Sequence, residues 1–356
     1  MLRVPALLAV LAVAGHSGEV SAAQYCVADA AQLRSAITAV SGASGAAGNE
    51  IRILAGTHNV AVGASGDYAL SLTLNTAPLT ITGGWNAGCT QRNLIADASI
   101  ISGNSTVRLM LIQALSQSAA ELIIDGVSFR NGLTTSGNFP SCLRIETDVD
   151  SAAEIALDRT SFRNCRASGS ATGPALAVIL RDSFLRIRSS VFTDNAGAVG
   201  TISMSNLGGT IYFTGNTVAY NDDFAAVGGP AGLQVSQVGT GATWLVSNII
   251  WGNGGAGSSD LFINTNTAVF TSSNVFGVLA GDLGGVTQTG NLSSNPGFNA
   301  PTDLRLRSDS IARNSGATSA PGGYTSLDVF GDPRVQGGRV DRGAHEFGEL
   351  FVNSFE

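Results

Sequence analysis

The chain has no lysine. All 19 of its basic residues are arginine, outnumbered by 26 acidic residues, which gives the 356-residue chain a net charge of −7. With no basic stripe to track phosphates, nucleic acid is not an expected partner. Histidine is nearly absent too. His16 falls in an N-terminal leader, His58 ends an early strand and His345 lies far along the chain, so neither a Ser-His-Asp arrangement nor a histidine-rich metal site can be assembled. No apolar run is long enough to span a membrane. There are only four cysteines, with no CxxC spacing, which argues against a metal site built on them. Charged residues make up just 13% of the chain, a composition that suits export.

What the chain does have is a repeat. Between Glu121 and Gly277 nearly the same short run recurs as LIIDGVSFRNG, IALDRTSFRNC, LRIRSSVFTDN, IYFTGNTVAYN, WLVSNIIWGN and VFTSSNVFG. Aligned, these runs place Phe129, Phe162, Phe192, Val218, Ile250 and Phe276 in one column, with steps of 26 to 33 residues. A period in that range marks stacked repeats. Each copy holds two short alternating runs with a polar kink between them. A third run, such as Leu143 to Ile145 or Ile202 to Met204, precedes most copies. Three short strands per turn, no helical period and Gly/Asn/Ser corners predict an all-β parallel β-helix.

Successive rungs of such a solenoid lie about 4.8 Å apart, so residues one period apart touch. Leu122, Ile155, Leu185 and Ile211 should form one inward stack, and Ile124, Leu157, Ile187, Phe213 and Leu245 the next. At the kink, Asn216, Asn248 and Asn274 form a further column. Asparagine tolerates a left-handed backbone and its amide can bond to the asparagines above and below, so a structural ladder is expected there.

Met1 to Ala23 reads as a secretory leader, with Arg3, an apolar stretch from Val4 to Ala14 and the small residues Ser21, Ala22 and Ala23 at the cleavage site. Export makes the even number of cysteines a disulfide framework. Sequence alone allows three pairings. Cys142 and Cys165 flank one corner on adjacent rungs, within disulfide reach, which leaves Cys26 with Cys89. After Cys26, Asp29 and Gln32 give a box-like helix start and Leu33, Ile37 and Val40 follow at helical spacing. One amphipathic helix before a solenoid is expected to cap its first rung. The expected organisation is a leader over 1–23, a capped β-helix over 24–300, a closing segment over 301–348 and a short tail over 349–356.

The opening CVADAAQLRSAI…NEIRILAGTH and LTITGGWNAGCTQRN resemble the N-terminal portion of secreted bacterial right-handed β-helix proteins of the pectin-lyase-like superfamily. The closing DLRLRSDSIARNSG and DVFGDPRVQGGRVDRGAHEF resemble the C-terminal pattern of the choice-of-anchor Q group, with Arg342 and His345 where isoleucine and an aromatic are usual. The resemblance implies a right-handed, single-stranded parallel β-helix that is extracellular or at the cell surface. It does not imply a lyase, because one fold hosts many functions.

Chemistry must come from outward residues. On the third strand run these include Arg144 and Glu146, then Ser203 and Ser205, then Gln234 and Ser236, then Phe262 and Asn264. A hydrolase needs two carboxylates about 5 to 9 Å apart across one bond, and Glu146 has no partner in its column. A calcium-assisted lyase needs an acidic cluster with an Arg or Lys base, for which Arg144 with Glu146, Asp148 and Asp150 is the nearest constellation. An exposed charged loop is the simpler reading of those residues. Asp125, Asp158 and Arg188 form an outward charge column, read as a solvated ladder. Tyr212, Trp244 and Phe270 form an outward aromatic column, with Trp251 nearby. Exposed aromatics one rung apart suit the apolar faces of sugar rings, unless a loop covers them or they pack on one another.

These observations lead to two expectations. One is an exported, monomeric, non-catalytic β-helix that needs no metal and binds a polysaccharide or cell-surface glycan through Tyr212, Trp244, Phe270 and Trp251. The other is a polysaccharide lyase or glycoside hydrolase acting at Arg144 and Glu146, with calcium as its only plausible cofactor.

Overall fold

The structure is a computed structural model that describes residues 22–42, 48–60, 67–135, 139–167, 173–197, 200–223 and 229–348. All but the last two residues of the expected leader, and the whole of the tail over 349–356, lie outside the described residues. The chain winds into a parallel β-solenoid of about eight turns. Ten strands form sheet I, which contains Glu121–Asp125, Glu154–Asp158 and Ala242–Val246; eight form sheet II, which contains Ser128–Arg130 and Ser161–Arg163; eight more form sheet III, which contains Leu143–Thr147 and Ile202–Asn206. A short four-stranded sheet runs along the bend between sheets II and III.

The register is the one the repeat predicts. Phe129, Phe162, Phe192, Val218, Ile250 and Phe276 pair in sequence across sheet II. The first three rings stack face to face with centroids 5.0 and 4.6 Å apart. The two aliphatic stacks of sheet I are likewise in register and fully buried. In-register stacking puts like on like, so each rung buries its apolar residues against the next.

The first rung is covered by α1 (Ala30–Val40), which buries Leu33, Ile37 and Val40. The Asp29 carboxylate accepts from the Gln32 amide at 2.8 Å, and the Gln32 side chain accepts in turn from Ala28 N–H at 2.8 Å, a reciprocal cap. Both expected disulfides are present, Cys26–Cys89 at the N-terminal end and Cys142–Cys165 across one corner.

The asparagine ladder exists, but its backbone logic differs from the expectation. Asn216 donates to Asn248 at 3.3 Å, Asn248 to Asn274 at 2.9 Å and Asn274 to Asn291 at 3.1 Å. The left-handed residue is the one before each asparagine: Gly215, Ser247, Ser273 and Gly290 have φ of 61°, 56°, 52° and 62°. The kink residue turns the chain, and the asparagine after it satisfies the amides that the turn removes from the sheets. A second ladder, which the sequence reading missed, stands at the end of sheet II. There Asn195 donates to Asn221 at 2.9 Å, Asn221 to Asn253 at 2.8 Å and Asn253 to Asp260 at 2.9 Å.

After the last rung, an antiparallel pair, Phe298–Ala300 with Asp303–Leu306, starts a segment that returns along the outside of the bend between sheets I and II. Its contacts step back rung by rung: Arg342 donates to Asn274 O at 2.9 Å, Ala344 N–H to Thr217 Oγ1 at 2.9 Å, and Ser189 bonds Thr325 at 2.6 Å. Finally Ala96 N–H reaches Val329 O at 3.1 Å. A second apolar cluster joins Val191, Ala219, Ile249 and Val275 of sheet II to Phe298, Leu306, Val329 and Ala344. The segment expected to close the end therefore covers a flank.

The Asn248 side chain makes four bonds, accepting from the Asn216 backbone and side-chain N–H groups and donating to Phe213 O and Asn274. Asn248→Ala strands buried partners above and below and should cost about 3 kcal/mol or more. Chemical denaturation checks this, and a loss below about 1 kcal/mol would contradict the ladder's role.

Candidate functional site

The outward surfaces of sheets I and II are largely occupied. Tyr212, Trp244 and Phe270 do lie in one column of sheet I. Trp244 and Phe270, however, stack on each other with centroids 3.9 Å apart and planes 13° from parallel. At that separation the rings turn faces to each other, and those are the surfaces a sugar ring would use. A Cβ at Gly322 would stand 2.5 Å from Tyr212 Cγ, so the C-terminal segment packs backbone against the Tyr212 ring. Trp251 belongs to sheet II and packs into the second apolar cluster. It is not part of the Tyr212 column.

The charge column expected to be solvated is largely buried. Arg159 donates to both oxygens of Asp125 at 2.8 and 2.5 Å and to Leu94 O at 2.9 Å; Arg92 meets the same carboxylate at 2.7 Å. Arg188 clamps Asp158 through two bonds of 2.7 Å and reaches Gly322 O at 3.1 Å. Asp158 and Arg159 are only 8% and 5% exposed. A cavity of about 450 Å³ lies between this column and Tyr324 to Leu327, but its arginines are committed to Asp125, Asp158 and main-chain carbonyls.

Sheet III differs. Among the described residues, no hydrogen bond or apolar cluster joins its outward face to residues 298–347. One outward column runs Leu111, Arg144, Ala177, Ser203, Gln234, Phe262, and its neighbour runs Gln113, Glu146, Ile179, Ser205, Ser236, Asn264. Ala177, Ser203 and Ser205 are small residues on its middle rungs, and Ile179 stands among them. At one end Phe139, 42% exposed, has the guanidinium groups of Arg108 and Arg144 over its ring at 4.7 and 4.8 Å. Phe262 stands four rungs from Arg144, about 19 Å along the axis. Arg144 is 3.1 Å from Glu146. The next carboxylate in the Glu146 column, Asp282, stands five rungs on, about 24 Å away at the rung spacing and far beyond the separation a glycosidase pair needs. Asp148 and Asp150 follow in the turn. Asp222 and Asp223 end the four-stranded sheet. Among the described residues, no three His, Cys, Asp or Glu side chains converge as metal ligands.

The C-terminal segment is held by buried charge. Asp328 accepts from Phe330, Asp332 and Glu346 N–H at 2.8 to 2.9 Å, and Asp341 accepts from Asn314 and Phe347 N–H at 2.6 and 2.7 Å. Arg334 and Glu346, both fully buried, are 3.4 Å apart. Burial pushes the Glu346 carboxyl up to about 8. His345 accepts from Leu306 N–H through Nδ1 at 3.3 Å and packs edge-on to Phe330. Burial lowers its imidazole to about 4.

Neither a family model nor a curated protein matches the chain. Among solved structures it is similar to one described as the crystal structure of pectate lyase Pel9A, at 11% identity and a TM-score of 0.42, over 87% of this chain and 90% of that one. So distant a likeness carries nothing about activity. The strand pairing itself defines the class, a parallel β-solenoid protein with a C-terminal segment fastened to one flank.

Two outcomes follow from this geometry. Trp244→Ala removes half of a stacked, half-buried pair and should cost roughly 2 kcal/mol of stability; an unchanged melting temperature would contradict the packing role. The folded-state pKa of His345 lies below its unfolded value of about 6.5, so its stabilising effect is complete above pH 6.5 and is lost as pH falls through about 4. His345→Asn keeps an acceptor for Leu306 without the titration. Melting curves of the two proteins should therefore converge between pH 6.5 and 4 as wild type loses its advantage; a constant difference would contradict the assignment.

Proposed function

We propose that the protein is exported and, as a monomer, holds a polysaccharide or cell-surface glycan along the outward face of sheet III without cleaving it. The observation that carries this reading is the division of surfaces. The returning segment is fastened over the bend between sheets I and II, and sheet III is left with an uncovered strip, the proposed trough, on which Ser203, Ser205, Gln234 and Ser236 follow Ala177 and Ile179 between Phe139 and Phe262. Hydroxyl and amide side chains can donate and accept to sugar hydroxyls, and Phe262, unlike Phe139 with its two guanidinium groups, offers an apolar ring to a sugar face. Two disulfides support an oxidising destination.

The Arg144 and Glu146 pair supports holding more than cutting. Glu146 lacks a second carboxylate across one bond, and Arg144 is drawn to Glu146 and to Phe139, which opposes its acting as a base. A surface role of the choice-of-anchor Q kind agrees with this arrangement.

Affinity electrophoresis through gels containing acidic or neutral polysaccharides tests the proposal, with unsaturated-product absorbance and reducing ends followed in parallel, with and without calcium. Expected are retardation by at least one polymer, no product, and loss of retardation in Ser203→Tyr, which obstructs the trough without touching the core. Turnover under any condition would overturn the non-catalytic reading. Retardation unaffected by Ser203→Tyr would overturn the placement on sheet III.

A further inference from the structure

We propose that a second site, the cavity between sheet II and the C-terminal segment, binds a small organic carboxylate with an apolar body. The cavity measures about 620 Å³, within the range of about 300 to 1,000 Å³ of small-molecule sites. Its floor is apolar and buried, with Val191, Leu304 and Val329 each under 10% exposed. Ile95 and Phe330 stand at its mouth, 40% and 37% exposed. Such a wall suits an aliphatic chain or aromatic ring.

The polar groups that converge there fit an anion. Arg163 projects outward from sheet II one rung beyond Arg130. Arg130 pairs with Asp97 at 2.6 Å. Arg163 has no equivalent: its side chain makes no hydrogen bond or ion pair among the described residues, and its Nε is buried without an acceptor. Asp97, the carboxylate whose charge acts with it, pairs with Arg130 through Oδ2 and leaves Oδ1 without a hydrogen bond. Arg163 is half-buried, so only its Nε is withheld from water, and a carboxylate can answer a guanidinium with two parallel charge-assisted bonds. The other charged groups on the lining are Asp303, Arg305 and Asp332. Asp303 is bonded to Arg305 at 2.8 and 2.6 Å, and Asp332 is exposed at the rim. His345 adds a neutral donor, because Nδ1 is taken as the acceptor for Leu306 N–H and the proton therefore sits on Nε2.

The carboxylate could belong to a free organic acid or to a uronic acid unit of a bound polymer. The apolar floor favours the free acid. The site lies on a different sheet from the trough, so its fate is independent of the glycan proposal.

Calorimetric titration of the full chain with benzoate, hexanoate, a uronic acid monosaccharide and benzyl alcohol tests the assignment. Benzoate or hexanoate should bind saturably at one site, and benzyl alcohol, which has the ring without the charge, about tenfold or more weaker. Arg163→Gln should weaken benzoate binding about tenfold or more with an unchanged melting temperature, since the Arg163 side chain makes no bond to lose. Phe330→Ala, at the exposed mouth, should weaken it severalfold and keeps the test standing should the arginine variant misfold. Overturning results are no saturable binding of any of the three acids, equal binding of benzoate and benzyl alcohol, or unchanged affinity in a folded Arg163→Gln. Tighter binding of the uronic acid than of benzoate would overturn the apolar-body assignment.

Discussion

Everything in this molecule depends on each rung being stacked in register on the one before, about 4.8 Å away. A strand with no neighbour leaves its amides and carbonyls unpaired, and a register slip of one residue would turn every inward side chain outward. The chain fixes register with two devices. Large apolar residues recur in columns, so a displaced Phe162 would lose both Phe129 and Phe192 at once. At two corners, buried asparagines tie neighbouring rungs through main-chain and side-chain bonds. Those bonds exist only in the correct register, and leaving such groups unmade inside the protein costs more than making them gains.

The C-terminal segment follows a different logic. It has little regular structure, so its amides must find partners elsewhere. Carboxylates supply them: Asp328 alone accepts three backbone amides, and Asp341 two. Arg334 draws this knot together, reaching Asp341 O at 3.0 Å and lying beside Glu346. These are the residues that make DVFGDPRVQGGRVDRGAHEF the most distinctive stretch of the sequence. Their work here is to fold a loop-rich segment onto a flank of the solenoid, which explains why so specific a pattern says so little about chemistry.

Much of the fold was legible because a solenoid repeats its constraints. A single strand such as Ser161–Arg163 is too short to identify alone, but six aligned copies determine the period, the Phe column, the inward stacks and, through adjacent corners, the Cys142–Cys165 pairing. The second asparagine column, Asn195, Asn221 and Asn253, was equally visible as the last residue of three copies. What the repeat could not reveal was coverage. Arg188 and Tyr212 alternate outward as expected, yet they lie beneath residues more than a hundred positions away. Trp251 follows Trp244 by seven residues, but the Asn248 corner sends it to another sheet. The cavity beside Arg163 was illegible for the same reason, since its walls come from opposite ends of the chain.

Coverage is therefore what connects this architecture to its use. The returning segment seals the bend between sheets I and II and leaves sheet III as the long face on which a polymer can lie. Oxidative footprinting of the aromatic side chains, with and without a retained polysaccharide, tests that claim most directly. The account predicts that Phe139 and Phe262 react readily in the free protein and become protected when the polymer is bound, while Trp244 and Phe270 change little. Protection that falls on Trp244 and Phe270 instead, with Phe139 and Phe262 unchanged, would contradict it.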